Sequence, residues 1–315
     1  MRILITGAAG NLGSFLARRL LPTSHQLHLL VHRSALPFQV ADDANVTVFQ
    51  GDLGHPESLL SACQGVDCVV HFAGVLFSPF PERFLPVTNL VYVQNLIAAA
   101  EVAGVGKFIL ISFPHVEGES TPDCPAPGRL DGEPESIHAQ TRLAAEKHLF
   151  EQASRTSLVP VVLRAGMIYS RGVLMIEAAR WLMRRRLLGV WRQPTWIHLL
   201  SLPDFLTCTV AAIEGGDVQG IYNLGDDAPT TLQIFLDAFA DYCGYPRPWR
   251  APRWLFPIAG RVTEVAAWLF DKPAPLTRDF VRIGMASYVA NTDRMKSELL
   301  AKLAYPDLEA GLGLL

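Results

Sequence analysis

Apolar residues run through the first half of this chain in two alternating rhythms. Short, mainly apolar runs at 3–5, 27–31, 46–49, 68–72, 107–112 and 159–164 carry the strand signature. Between them, apolar positions three and four apart predict helices over 14–21, 56–63, 90–103 and 139–151. Strand-helix alternation of this kind predicts an α/β fold built on a doubly wound parallel sheet. After about residue 170 the rhythm lengthens, with helices expected over 175–188, 203–213 and 231–242. Pro246, Pro248, Pro252 and Pro257 then punctuate the chain around a tryptophan-rich stretch, 249–270. The expected organisation is one domain over 1–170 and a smaller, mostly helical lobe over 171–315, interleaved with the last strands of the sheet. Trp181, Trp191, Trp196, Trp254 and Trp268 read as core, or as the walls of an apolar cleft. Residues 118–136, rich in Pro, Gly, Asp and Glu, read as a loop overhanging a site.

The link between the first strand and the first helix is Thr6-Gly7-Ala8-Ala9-Gly10-Asn11-Leu12-Gly13. A strand followed by glycines at i, i+3 and i+6 and then a helix gives this pattern its meaning. Gly7 permits the tight turn, Gly10 lets backbone approach a pyrophosphate, and Gly13 lets helix pack on strand. The anion then sits on free amides at the positive end of the helix. The first half is therefore Rossmann-like, and a dinucleotide is the expected ligand.

Composition narrows the classes. The chain has 315 residues, 50% hydrophobic and 18% charged, enough for a large core and unlike a disordered protein. A net charge of −3 without basic tails gives no electrostatic case for nucleic acid. Cys63, Cys68, Cys124, Cys208 and Cys243 are scattered, which points to reduced thiols, no metal site and a cytoplasmic setting. No signal peptide and no spanning helix is expected. Arg180, Arg184, Arg185 and Arg186 flank Trp181, Leu182 and Met183, a basic stretch that reads as a solvated face or as peripheral membrane contact.

Nearly the whole length resembles the extended short-chain dehydrogenase/reductase family, also called the NAD-dependent epimerase/dehydratase superfamily. The likeness rests on the Thr6–Gly13 loop, Gly51-Asp52-Leu53, His71-Phe72-Ala73-Gly74, Asn89, Arg164-Ala165-Gly166 and Tyr222-Asn223-Leu224-Gly225. The resemblance implies cofactor contacts from Gly7, Gly10, Asn11, Leu12 and Gly13. It also implies contacts from Asp52 and Leu53 at the adenine and from Ala73 and Gly74 beneath the ribose. It further suggests a homodimer. Residues 254–294 are faintly similar to the hydroxysteroid dehydrogenase branch.

Cofactor choice is argued locally. The stretch Leu30-Val31-His32-Arg33-Ser34 lacks the acid that would hold a ribose 2′-hydroxyl. Arg33, helped by His32, suits a 2′-phosphate, so NADP(H) is expected, with NAD(H) as the alternative.

The family's Ser/Thr, Tyr and Lys positions are all changed here. His138 stands at the Tyr position and Arg142 at the Lys position, while Phe113 takes the Ser/Thr slot with Ser112 one residue early. Positions 138 and 142 are one helical turn apart and share a face. Arg142 suits the nicotinamide ribose but cannot relay a proton. His138, with an ordinary pKa near ~6.5, is the expected imidazolium donor, and Ser112 and His115 are secondary donors. Two readings of different class follow. One is an NAD(P)H-dependent reductase of a carbonyl or conjugated bond on a bulky apolar or polycyclic substrate, without the usual relay. The other is a catalytically silent dinucleotide-binding sensor or scaffold. A nucleotide-sugar epimerase fits less well, because it needs the missing phenolic base.

Overall fold

The computed structural model describes residues 1–40, 43–74, 81–270 and 277–315, without the side chains of Trp268 and Phe270. Seven parallel strands form the main sheet: β1 (Arg2–Thr6), β2 (Gln26–Val31), β3 (Val46–Gln50), β4 (Cys68–His71), β5 (Lys107–Ser112), β6 (Val159–Ala165) and β7 (Gly220–Leu224). Their spatial order is β7-β6-β5-β4-β1-β2-β3. The order reverses between β1 and β4, which pair directly from Ile3–Cys68 to Thr6–His71. In open α/β sheets the crevice beyond the strand ends at such a reversal is where ligands bind.

Both faces of the sheet are covered, which explains why its strands are mainly apolar instead of alternating. Successive residues point to opposite sides. Ile3, Ile5, Leu29 and Val161 join a core shared with α1 (Asn11–Leu20) and the C-terminal lobe. Leu4, Val69, Phe108 and Val162 join a second core, beneath α2 (Tyr92–Val102) and α3 (Ile137–Ala153). β7 lies far along the chain yet completes the sheet beside β6.

The later helices are α4 (Leu174–Arg184), α5 (Leu202–Glu214), α6 (Leu232–Cys243), α7 (Leu255–Phe270) and α8 (Arg278–Met285). Two expected helices differ in form. The 56–63 segment breaks into a 3₁₀ turn, Pro56–Ser58, and a short helix, Leu60–Cys63. The 90–103 helix starts earlier, as a wide π-type run over Pro86–Val91 leading into α2.

The tryptophans do not line one cleft. Trp191 is buried and gives its indole N–H to Thr195, whereas Trp181 and Trp254 stand exposed. The side chain of Trp268 lies outside the described residues. The loop at 118–136 is irregular, as expected, but is fastened along its length. Ala126 bonds to Val289 and Asn291, Ser120 bonds to Ser287, and Arg129 offers its carbonyl to Arg164.

Candidate cofactor and active site

The glycine loop ends at the sheet reversal, and its geometry leaves little room for other residues. Gly7 holds φ +71°, a left-handed conformation, and an added Cβ would lie 2.9 Å from the amide nitrogen of Ala73. A Cβ at Gly13 would overlap the Gly7 carbonyl oxygen, so helix and turn are in direct backbone contact. Gly10 donates to that same carbonyl at 2.7 Å and begins α1 with no side-chain cap. No acid stands in the first turn of α1. The amides there are left for an anion, and the helix dipole favours one.

Other expected cofactor residues divide by role. The Asn11 side chain is committed to the C-terminal lobe, donating to the Gly172 carbonyl and accepting from the Leu174 amide. Its contribution to a ligand is therefore its backbone. Leu12 packs against the first core and Leu53 against the second. Asp52 caps the Gly54 amide and stands 3.4 Å from the His32 ring. Arg33 is exposed just beyond β2.

At the other end of the crevice, α3 carries His138 and Arg142. Its first amides are fully met, unlike those of α1. Ser136 accepts from Ala139, and the Asp279 carboxylate, reaching over from α8, accepts from Ile137 at 2.8 Å and His138 at 3.2 Å. Asn89, in the π-type run, donates to Thr141 on the same helix. The remaining oxygen of Asn89 is buried without a partner among the described residues, 3.8 Å from where a Gly74 Cβ would stand. An Arg142 terminal nitrogen lies 3.1 Å from that same point. The Nε of Arg142 is likewise buried and unpartnered.

A buried guanidinium and a buried amide oxygen that meet beside a glycine, each with an atom unpaired among the described residues, suit the hydroxyls of a ribose. With the open end of α1 they form a site that fits a dinucleotide. Gly7, Gly10, Gly13, Ala73, Gly74 and Arg142 are brought together here, and His138 lies one turn from Arg142.

Behind the site is a buried ionic group. The Arg164 guanidinium is fully enclosed and pairs with Glu146 at 2.6 Å and with Glu117 at 2.5 Å. Ser112 gives its hydroxyl to Glu146 in a very short hydrogen bond. Ser112 is thus tied to this group through its hydroxyl. Glu146 follows Arg142 by one turn, so the group holds two cations and two carboxylates. Burial lowers the Arg142 pKa to about 10, which still leaves it charged at neutral pH.

The expected imidazolium does not form. Burial first, then the charge of Arg142, then His115 push the His138 pKa down to about 3. His138 is a neutral imidazole, set 5.1 Å from the Phe113 ring. Phe113 in turn meets His115, which lies 4.1 Å from Tyr288. The surroundings of His138 are aromatic, with no carboxylate against its ring among the described residues. No group of three His, Cys, Asp or Glu side chains able to hold a metal ion occurs among the described residues.

The sequence reading missed Asp279, Glu146 and Asn89's role in orienting α3. Asn89 alone left a signal, through the resemblance.

Comparison with known proteins agrees with this architecture. Residues 3–225 match the NAD dependent epimerase/dehydratase family. The chain belongs to that family. A 2-alkyl-3-oxoalkanoate reductase of Stenotrophomonas maltophilia (strain K279a) is 30% identical over 260 residues, covering 78% of this chain and 77% of the relative. A protein of the same name from Shewanella oneidensis is 27% identical over 303 residues, covering 88% and 76%. The structure of MoeE5 with UDP-glucuronic acid and NAD superposes with TM-score 0.77 at 20% identity, covering 100% of this chain and 97% of that one, a likeness of fold. The expectation of an oxidoreductase served by a nicotinamide dinucleotide agrees with the family and with these relatives' names. No helix among the described residues is long and apolar enough to cross a membrane.

Proposed function

We propose that this protein is an NADP(H)-dependent reductase of a ketone carried on a bulky apolar substrate, and that it works without a Ser-Tyr-Lys proton relay. The observation that carries the reading is the buried Arg142 at Gly74, its Nε without a hydrogen-bond partner among the described residues, with a neutral His138 one turn away among aromatic rings. The names of the relatives support a 3-oxo acid with an alkyl branch at C2.

The nicotinamide, when bound, supplies the hydride. Gly7, Gly10 and Gly13 admit the pyrophosphate to the open end of α1, and Arg142 with Asn89 orients the ribose. His138 donates its N–H to the substrate carbonyl oxygen. A neutral imidazole polarises that oxygen without itself ionising, a pattern known from other enzymes. The charge of Arg142 stabilises the oxyanion as it develops. The alkoxide then takes its proton from water, because an imidazolate is too basic a product. Reduction is the favoured direction, since no phenolate-like base stands ready to accept an alcohol proton.

NADP(H) is favoured by Arg33, exposed beyond β2 where an NAD site would place an acid. The test is calorimetric titration with NADPH and NADH, followed by NADPH oxidation with long-chain 3-oxo acids and polycyclic ketones, and by a separate assay for conversion of UDP-glucose in the presence of oxidised dinucleotide. NADPH binding about tenfold tighter than NADH, lost in Arg33→Ala, and turnover confined to the apolar ketones are expected. Turnover of UDP-glucose, or binding without any turnover, would contradict the reading, the latter favouring a sensor.

A further inference from the structure

Charge is distributed very unevenly along this chain. Segments 178–192 and 245–263 contain nine of its 27 cationic side chains, all arginine, and no Asp or Glu, although the whole protein carries −3. The fold joins the two segments. Gly189–Trp191 pairs in parallel with Trp249–Ala251, and the Trp249 ring stacks on Phe256 of α7 at 6.4 Å. Flanking acids neutralise three of the nine: Glu177 holds Arg180, Asp241 holds Arg247 and Asp237 holds Arg250. Arg184, Arg185 and Arg186 are exposed at the end of α4. Arg186 has φ +57°, and among the described residues it is the only non-glycine in that region. A helix end of this shape favours glycine, yet a third arginine stands there.

The second segment runs into α7, which is apolar on its outer side. It buries Gly260, Glu264 and Ala267 and turns Ile258, Val262, Val265 and Leu269 outward. Those four positions, spaced four, three and four apart, form one stripe along the helix. Trp254, at its start, is 63% exposed, and Trp181 is 50% exposed beneath the Arg185 guanidinium. Half-exposed tryptophans beside arginines and an uncovered aliphatic stripe suit the headgroup layer of a bilayer.

We infer that this face of the C-terminal lobe docks on an anionic lipid bilayer. The stripe enters the boundary of the acyl region, and the arginines pair with lipid phosphates, which the guanidinium fork matches well. Charge decides against a second copy of the chain. A two-fold contact would set these arginines against themselves, with Glu177, Asp237 and Asp241 already paired within the chain, whereas an anionic membrane supplies the complement. Neither the stripe nor the arginines include a residue of the glycine loop or of α3, so the docking does not depend on the reductase reading.

The test is flotation of the full-length protein with phosphatidylcholine vesicles, with or without about 30 mol% phosphatidylglycerol. The protein is expected to float with the anionic vesicles and to stay behind with pure phosphatidylcholine. At about fivefold in partitioning per arginine, the triple change Arg184→Ala, Arg185→Ala, Arg186→Ala should weaken binding by well over tenfold. The pair Val262→Asp and Val265→Asp should weaken it at least tenfold. Both variants alter exposed positions, so their circular dichroism and melting should match the parent. Failure of the parent to float, or flotation undiminished in either variant, would overturn the inference. So would a dimer in sedimentation equilibrium that Val262→Asp with Val265→Asp dissociates.

Discussion

The two helices that flank the crevice, α1 and α3, begin in opposite ways. α1 starts at Gly10 with neither a side-chain cap nor an acid in its first turn. α3 starts with its amides taken by Ser136 and by the distant carboxylate of Asp279. An open positive helix end is a place for an anion; a capped one is a rigid mount for side chains. The same fold thus uses one helix to bind through its backbone and the other to position His138 and Arg142.

The comparison breaks hardest at the buried ionic group that holds the α3 side together. Glu146→Ala leaves Arg164 with one carboxylate and strips Arg142 of its balancing charge. A loss of about 3–5 kcal/mol in stability is expected, read by chemical denaturation. On the α1 side, Gly13→Val forces a side chain into the Gly7 carbonyl. NADPH affinity should fall by about two orders of magnitude in calorimetry, the scale of losing well-aimed anion contacts.

His138→Phe tests the mount rather than the cradle. An expected loss of about 10²-fold in kcat/KM, with NADPH affinity unchanged, would separate the two sides. The same variant has a pH signature in stability. The folded pKa of His138 is about 3, well below its ordinary value of 6.5, so the unfolded chain takes up the proton first. The histidine is neutral in both states above pH 6.5. Below that, and down to about pH 3, it costs the native protein about 1.4 kcal/mol per pH unit. His138→Phe should therefore gain stability relative to the parent as the solution is acidified, measured by denaturant titration at successive pH values. The smallest effect is expected from Asp279→Ala, about 1 kcal/mol of lost capping together with reduced kcat/KM and unaltered NADPH binding.

The α1 side was legible in the sequence, because Gly7 and Gly13 stand where only a missing Cβ allows the backbone contact, and residue type then reports geometry. The parallel, doubly wound sheet followed from alternation, whereas the edge strand at Gly220–Leu224 did not. The α3 side was legible only as positions 138 and 142 on one face. Its control comes from Asp279, 141 residues away from His138, and from the Arg164 group, whose partners are scattered from 117 to 164. Local pattern carries no trace of such contacts. The protonation of His138 was misjudged for the same reason: burial, set by tertiary packing, outweighs its intrinsic pKa. The tryptophans show the converse limit, since composition does not say whether a large ring faces inward or out.

The central claim is that a neutral His138 assists hydride reduction at this site. The measurement that tests it most directly is kcat/KM for NADPH-dependent reduction of a long-chain 3-oxo acid between about pH 5.5 and 8.5, for the parent and His138→Phe. A profile without an inflection near pH ~6.5, lowered about 10²-fold at every pH in the variant, is the expected result. An inflection near pH ~6.5 that the variant abolishes would show an imidazolium donor, and equal activity of the two proteins would remove His138 from the chemistry; either contradicts the account.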